Sequence, residues 1–183
     1  MSRKLPNFEQ TGDGRIYVPS QNLLLGGVFD FTVNGELVHQ DLHNLVTTEG
    51  LNYILDAALS GGTPITSWYV TAFKNNVSPA ANWAAANFDS TADEIDATDV
   101  TASTRQAWTD AGVSAGQVDN YAAKSEYTVL AATLDLYGVA FLSGSAFGGT
   151  TGKVVAATAF GAVRSLVADD VFGIGYRFVA TSA

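Results

Sequence analysis

The stretch Val171-Phe-Gly-Ile-Gly-Tyr-Arg-Phe-Val-Ala180 decides the fold of this chain. Large apolar residues occupy every second position, and glycine, arginine and valine occupy the positions between them. Alternation with a period of two is typical of a β-strand that turns one face towards a core. The stretch carries no catalytic motif, so we expect it to close a sheet rather than to build a site.

A β-hairpin is indicated nearer the start of the chain. The strand-like runs 27–33 and 36–42 are separated by Asn34-Gly35 alone, and both of these residues accept the positive φ angles of a type I′ turn. Four further strand-like runs precede the stretch quoted above, at 65–73, 126–132, 136–143 and 153–160. Several short strands with turn residues between them predict a mainly β fold, an antiparallel β-sandwich or jelly-roll-like barrel.

One segment changes to a helical period. Its apolar residues fall on one stripe, at Leu51, Ile54, Leu55 and Ala58, as in a helix that turns one face towards a core. Thr47 or Thr48 is placed to cap the start, and Gly61-Gly62 is placed to end it. The pattern predicts one short amphipathic helix at about 48–59.

Two segments lack a regular period. Residues 1–22 contain two prolines, two glycines and scattered charges, which are typical of an extended arm with turns. Residues 80–125 are rich in alanine, aspartate and threonine, and we expect a long irregular excursion with a short helix near 82–86. The prediction is therefore an extended N-terminal arm (1–22) and a single β-rich domain (23–183).

Composition excludes several classes of partner. The 183 residues are 47% hydrophobic and 15% charged, which suits a globular core, and the net charge of −9 repels the phosphates of nucleic acid. The sequence has no cysteine, so burial and association must stabilise the fold. The start does not resemble a secretory signal, and the most apolar window, 129–142, is too short for a membrane helix. We expect a soluble protein with no nucleic-acid and no membrane partner.

One motif resembles a catalytic serine. The run Gly112-Val-Ser-Ala-Gly116 matches G-x-S-x-G, which in hydrolases projects a serine over an oxyanion hole from a sharp strand-to-helix turn. Hydrolases of that kind place the histidine after the serine, whereas both histidines of this chain precede it. We interpret the run as a small polar loop, and we predict no catalytic residue and no enzymatic activity.

Two groups of residues are candidate metal ligands. His39 and His43 flank Asp41, but in a strand the two rings would be roughly 13 Å apart, too far to share one ion. The acidic run 89–99 offers carboxylates to a cation such as calcium but lacks the glycine turn and ligand spacing of a calcium loop. We predict no metal and no cofactor; if a cation binds, we expect it at the acidic run.

Aromatic residues outside the strands are candidates for contact with a partner. Trp83 lies in the Ala- and Asn-rich part of the excursion and is the best of them. The predicted interface residues, from the arm and the excursion, are Leu5, Pro6, Phe8, Tyr17, Trp83 and Phe88.

Four stretches resemble a family of small structural proteins of tailed bacteriophages. They are residues 43–59, Trp68-Tyr-Val-Thr-Ala-Phe-Lys-Asn-Asn76, Ser103-Thr-Arg-Gln-Ala-Trp108 and Gly148-Gly-Thr-Thr-Gly152. The similarity covers about residues 40–180 in the same order and is a pattern of packing and turn residues. Members of the family are labelled capsid decoration (cement), tail or tail-fibre proteins.

The resemblance implies a non-enzymatic virion protein. We prefer capsid decoration, because fibre chains usually carry long repetitive stretches and this chain is repeat-free. Such a protein would bind across joints between major capsid proteins, stabilise the shell and associate as a homodimer or homotrimer. It would be made in the host cytoplasm and end on the outer surface of the capsid. The alternatives are a tail, collar or tail-fibre module bound to another virion protein, and a glycan-binding or glycan-cleaving sandwich.

Overall fold

The computed structural model describes residues 9–10, 16–17 and 23–182. In chain order its elements are β1 (Glu9–Gln10), β2 (Ile16–Tyr17), β3 (Leu23–Val33), β4 (Glu36–His43), β5 (Leu45–Val46), α1 (Thr48–Leu55), β6 (Trp68–Phe73), α2 (Phe88–Ala92), β7 (Gln106–Trp108), β8 (Gln117–Asp119), β9 (Ser125–Thr128), β10 (Thr133–Leu142), β11 (Val154–Val167) and β12 (Val171–Ser182). A π-helical turn, Asp56–Ser60, continues α1 directly.

Two antiparallel sheets form a sandwich. The first sheet has the order β4-β3-β12, and β8 and β9 both pair with the second edge of β12. The second sheet has the order β5-β11-β10-β6-β7. Strands β1 and β2 pair with each other outside these sheets. The prediction of a mainly β antiparallel sandwich is confirmed.

The inner face of β12 lies at the centre of the core. Phe172, Ile174 and Tyr176 are fully buried, as the alternation in the sequence predicts. The Tyr176 ring stacks on Phe141 of the second sheet, with the ring centroids 4.5 Å apart. Since burial of a large apolar side chain contributes roughly 1.5–3 kcal/mol, this strand contributes strongly to the attraction between the sheets.

The outer face of β12 is also covered, which explains its glycines. A Cβ atom built on Gly173 would lie 2.5 Å from Thr32 Oγ1, and one on Gly175 would lie 3.0 Å from the ring of Tyr121. The guanidinium carbon of Arg177 lies 4.3 Å from the centroid of that ring, on the same face. The small residues therefore let the loop before β9 lie directly on the sheet.

The predicted hairpin is confirmed. Asn34 and Gly35 have φ angles of 50° and 81°, which are the positive values of a type I′ turn. The Asn34 side chain accepts the N–H of Val171 at 2.9 Å and donates to Asp170 at 2.8 Å. The turn between β3 and β4 is thereby fixed to the start of β12.

The predicted helix forms with its predicted ends. Thr47 is the N-cap, and its Oγ1 accepts the N–H of Gly50 at 2.9 Å. Gly61 ends the π-helical turn with a φ of 77°. The strands also form, but their bounds shift: the run predicted from 65 begins at Trp68, and the run predicted to end at 160 continues to Val167.

The excursion is more ordered than predicted. Residues 82–86 contribute to turns, and the helix, α2, begins only at Phe88. Strand β7 pairs with β6 of the second sheet, and β8 pairs with β12 of the first. The indole N–H of Trp108 in β7 donates to the carbonyl of Tyr176 at 3.1 Å. The excursion therefore connects the two sheets.

Candidate interaction surfaces

Helix α1 and the π-helical turn that continues it present an uncovered apolar face. Leu51, Leu55 and Leu59 follow one another at intervals of four residues, and their exposed fractions are 38%, 51% and 81%. We call these three residues the leucine face. In the described part of the chain nothing covers it, although helices of globular proteins usually bury such a stripe.

The direction of α1 corrects the predicted core stripe. Leu51 and Leu55 point outward, whereas Gly50 is buried and Ile54 is half-buried. A Cβ atom on Gly50 would lie 2.7 Å from the Cα atom of Val155, so the missing side chain allows the helix backbone to contact β11. The pattern predicts large apolar residues at the core, but here the smallest residue determines the contact face.

An apolar cleft of about 150 Å³ opens beside α1. Both sheets and the helix contribute aliphatic or aromatic side chains to its walls, namely Tyr53, Ile54, Trp68, Trp108, Val118, Phe141, Val155 and Phe178. The rings of Tyr53 and Trp68 meet edge to face, with centroids 5.4 Å apart. A cleft of this volume and lining accommodates one aromatic or branched aliphatic side chain.

A second cleft, of about 540 Å³, separates α1 from the excursion. The Glu49 carboxylate lies in it and accepts the N–H groups of Ala85 at 2.9 Å and Val154 at 2.8 Å. The same carboxylate lies 3.6 Å from Lys153 Nζ. Because Glu49 has these partners, it anchors the helix to the excursion and to β11.

A buried ion pair fixes the middle of the excursion. The Arg105 guanidinium donates to both carboxylate oxygens of Glu94, at 2.5 and 2.6 Å, and both side chains are almost fully buried. Glu94 also accepts the N–H of Gly148 at 2.9 Å, and Arg105 donates to the carbonyl of Gly144 at 3.0 Å. The pair therefore connects the excursion to the loop between β10 and β11.

The remaining acidic run makes contacts within the chain. Lys74 Nζ lies 2.9 Å from Asp99 and 3.5 Å from Asp93. Asp96 accepts both the hydroxyl and the N–H of Thr98, and these hydrogen bonds lower the pKa of Asp96. In the parts of the chain that the structure describes, no group of three or more histidine or acidic side chains is arranged to hold a metal ion.

Trp83 and Phe88 lie in the core, which corrects their predicted exposure to a partner. Their exposed fractions are 3% and 1%. Trp83 packs edge to face on both Phe73 and Phe88, with centroids 5.6 and 5.7 Å apart. Residues 83–92 of the excursion and the outer face of the second sheet together form a second hydrophobic cluster. These aromatic residues are therefore anchors of the excursion itself.

The other predicted interface residues fall outside the description of side chains. Leu5, Pro6 and Phe8 lie outside the described residues, and Tyr17 is described only as part of the backbone of β2. The predicted arm, 1–22, is described only at β1 and β2, which pair in antiparallel register. A contact role for these four residues stays a prediction.

His39 connects the edges of the two sheets. Its Nε2 atom accepts a hydrogen bond from Arg164 Nε of β11 at 2.8 Å, and its ring stacks on Phe160 with centroids 4.9 Å apart. Burial, followed by the charge of Arg164, lowers the pKa of His39 below its usual 6.5. The ring nitrogen that faces Arg164 therefore has a structural contact.

Ser114 lies in a hairpin turn. Its N–H and C=O exchange hydrogen bonds with Gln117 at 2.9 and 3.0 Å, and the two residues between them, Ala115 and Gly116, have φ angles of 51° and 74°. This exposed turn is followed by β8, whereas the hydrolase motif requires a strand before the serine and a helix after it. The geometry agrees with a small polar loop.

Comparison with models of known protein families gives no match for this chain, and comparison with curated proteins gives none either. Among the described residues, no helix is both long and apolar enough to span a membrane.

Proposed function

We propose that this protein is a non-enzymatic structural component of a bacteriophage virion, a capsid decoration (cement) protein. It binds across the joints between major capsid proteins and stabilises the shell. The proposal combines the resemblance seen in the sequence with one structural observation that carries it, the uncovered leucine face of α1.

The leucine face is continuous with the apolar cleft. Ile54 lines the cleft and lies three residues after Leu51, and side chains three residues apart are neighbours on a helix surface. Contiguous apolar surface on a folded chain marks a site of protein–protein contact. We infer that the leucine face, beside the cleft, docks on a capsid protein.

The contact surface is held in place before any partner binds. Thr47 Oγ1 donates to the carbonyl of Val154 and caps the helix, and Glu49 bridges the helix to the excursion and β11. A helix fixed in this way loses little conformational freedom on docking, which favours affinity. Rigid presentation of three leucines suits a protein that binds many equivalent sites on a shell.

The charged groups inside the domain support binding rather than catalysis. Glu94 and Arg105 neutralise each other in the core, and Glu49 and Asp99 are paired with lysines. These carboxylates are engaged in fixing loops, as expected of a rigid binding module. On a lattice, many such modules acting together would add a binding free energy that resists the pressure of packaged DNA.

The proposal is tested on particles of the encoding phage assembled without this protein. Purified protein is added, and occupancy is measured by gel densitometry and cryo-electron microscopy. We expect wild type to cover the shell and the double variant Leu55→Asp, Leu59→Asp to bind at least tenfold more weakly. The matched control is Leu130→Asp, because Leu130 is 55% exposed but lies between β9 and β10, away from α1.

Equal occupancy of wild type and the α1 variant would reject the leucine face as the contact. Density on the tail or collar in a few copies, with a bare shell, would instead support the alternative of a tail module.

A further inference from the structure

We propose that the apolar cleft binds the N-terminal segment of this chain, residues 1–8. The occupant combines two apolar side chains, Leu5 and Phe8, with two basic ones, Arg3 and Lys4. This contact would exist in the free protein and does not require a virion partner.

The cleft has the size and chemistry for one such side chain. Its volume is about 150 Å³, and its walls are aliphatic or aromatic. Trp68 and Val118 come from opposite sheets and line the cleft at its open end, or mouth. Both side chains are only half-buried there. Filling the mouth would remove this apolar surface from water, which favours binding.

The chain enters the domain at the same end of the sandwich. Phe178 lines the cleft and pairs with Gly27, and four residues further along the same ladder Leu23 pairs with Ser182. At about 3.3 Å per residue, the start of β3 is only roughly 13 Å along the strand from the cleft. Residues 1–22 therefore join the domain next to its apolar mouth.

The antiparallel pairing of β1 with β2 places the start of β1 beside the end of β2. Glu9 pairs with Tyr17 and Gln10 pairs with Ile16, so the chain reverses its direction between the two strands. The chain therefore enters β1 and leaves β2 at the same end of this pair.

Charge favours the same occupant. Residues 1–8 contain Arg3 and Lys4 and no acidic residue, in a protein of net charge −9. A segment with two basic residues is attracted to a chain with this excess of carboxylates. A residue before proline also prefers extended backbone, so Leu5-Pro6 presents its side chains at low entropic cost.

Disulfide capture tests the proposal cleanly, because the chain has no cysteine of its own. The variant Asn7→Cys, Val118→Cys keeps Leu5 and Phe8 and places one thiol at the cleft. The control is Asn7→Cys, Leu130→Cys, since Leu130 follows β9, which pairs with the far end of β12 from Phe178. Mild oxidation should crosslink the first pair at least tenfold faster than the second.

Non-reducing electrophoresis shows which copy supplies the segment. A crosslinked monomer means that the segment binds its own cleft, and a crosslinked dimer means that it binds the cleft of a second copy; both support the proposal. Equal rates for the two cysteine pairs would overturn it.

A second measurement covers the case in which the cysteine variants fold poorly. Trp68 and Trp108 line the cleft, so their fluorescence reports its occupancy. The full chain with Leu5→Asp and Phe8→Asp should show red-shifted emission relative to wild type and to the control Ser2→Asp, at unchanged far-UV circular dichroism. Identical emission from all three proteins would contradict the proposal.

Discussion

The excursion buries an ion pair and large aromatic side chains, whereas the helical segment that begins with α1 leaves three leucines exposed. In the excursion, Glu94 and Arg105 are buried and neutralise each other, and Trp83 is enclosed by other aromatic rings. In α1, the leucine face is left in solvent, although the helix is firmly anchored by its N-cap. The excursion is thus completed by its own chain, whereas α1 has a surface that a partner can complete. Stability should therefore depend on the first region and association on the second.

Breaking the buried ion pair should have the largest effect. Glu94→Gln leaves the Arg105 charge buried without a counter-charge, and such changes typically cost about 3–5 kcal/mol. The free energy of unfolding is measured by urea denaturation. The double variant Glu94→Leu, Arg105→Met should lose less than the single variant, because it leaves no charge unpaired. A single variant as stable as wild type would show that the excursion does not depend on this pair.

Adding one methyl group to α1 should have the next largest effect. In Gly50→Ala the new Cβ atom would meet the backbone of Val155, which cannot move aside as a side chain could. Overpacking of this kind costs roughly 1–3 kcal/mol, and we expect it to exceed the gain in helix propensity of about 1 kcal/mol. Gly161→Ala is the control, because a Cβ atom there has no neighbour within 4 Å. Thermal unfolding compares the two; equal melting temperatures would refute the close contact.

Acid should weaken the link between the sheet edges by a smaller amount. The folded state lowers the pKa of His39, so its contribution is complete above the unfolded value of 6.5 and is lost as pH falls through the lower folded value. The hydrogen bond from Arg164 is worth about 1 kcal/mol. Unfolding free energies of wild type and His39→Gln, measured from pH 8 to pH 5, should converge on acidification. A constant difference would contradict this role of His39.

Changes in the leucine face should have the smallest effect on stability. Leu55→Gln and Leu59→Gln alter side chains that are more than half exposed, so each should shift the free energy of unfolding by no more than about 0.5 kcal/mol. Urea denaturation checks this, with Ile54→Gln as the partly buried comparison on the same helix. A loss above 2 kcal/mol for Leu59→Gln would mean that the leucine face belongs to the core.

The backbone of the fold could be predicted from local signals. The positive φ angles at Asn34 and Gly35, the cap at Thr47 and the alternation along β12 each depend on residues close in sequence. Period and turn chemistry report on such features directly. The contribution of Gly173 and Gly175, which let Tyr121 cover the sheet, depends on a loop about fifty residues away and was not visible in the pattern.

The candidate surfaces were harder to predict, because burial depends on long-range contacts. Trp83 lies in an irregular segment, and only the outer face of the second sheet explains why it is buried. Leu51 and Leu55 fit a core stripe by period, yet Gly50 decides which side of α1 touches β11. Gly50 is the residue from which the buried side of α1 could have been predicted, since a glycine early in a helix often marks close approach of two backbones.

The position of β12 in the first sheet has a consequence for synthesis on the ribosome. This strand lies between β3 on one side and β8 and β9 on the other, yet it is the last strand in chain order among the described residues. Until residue 171 and those after it have been translated, the β3–β4 hairpin has no neighbour along its inner edge. Contacts that span some 150 residues form slowly. One edge of β3 in the nascent chain therefore stays unpaired for most of translation.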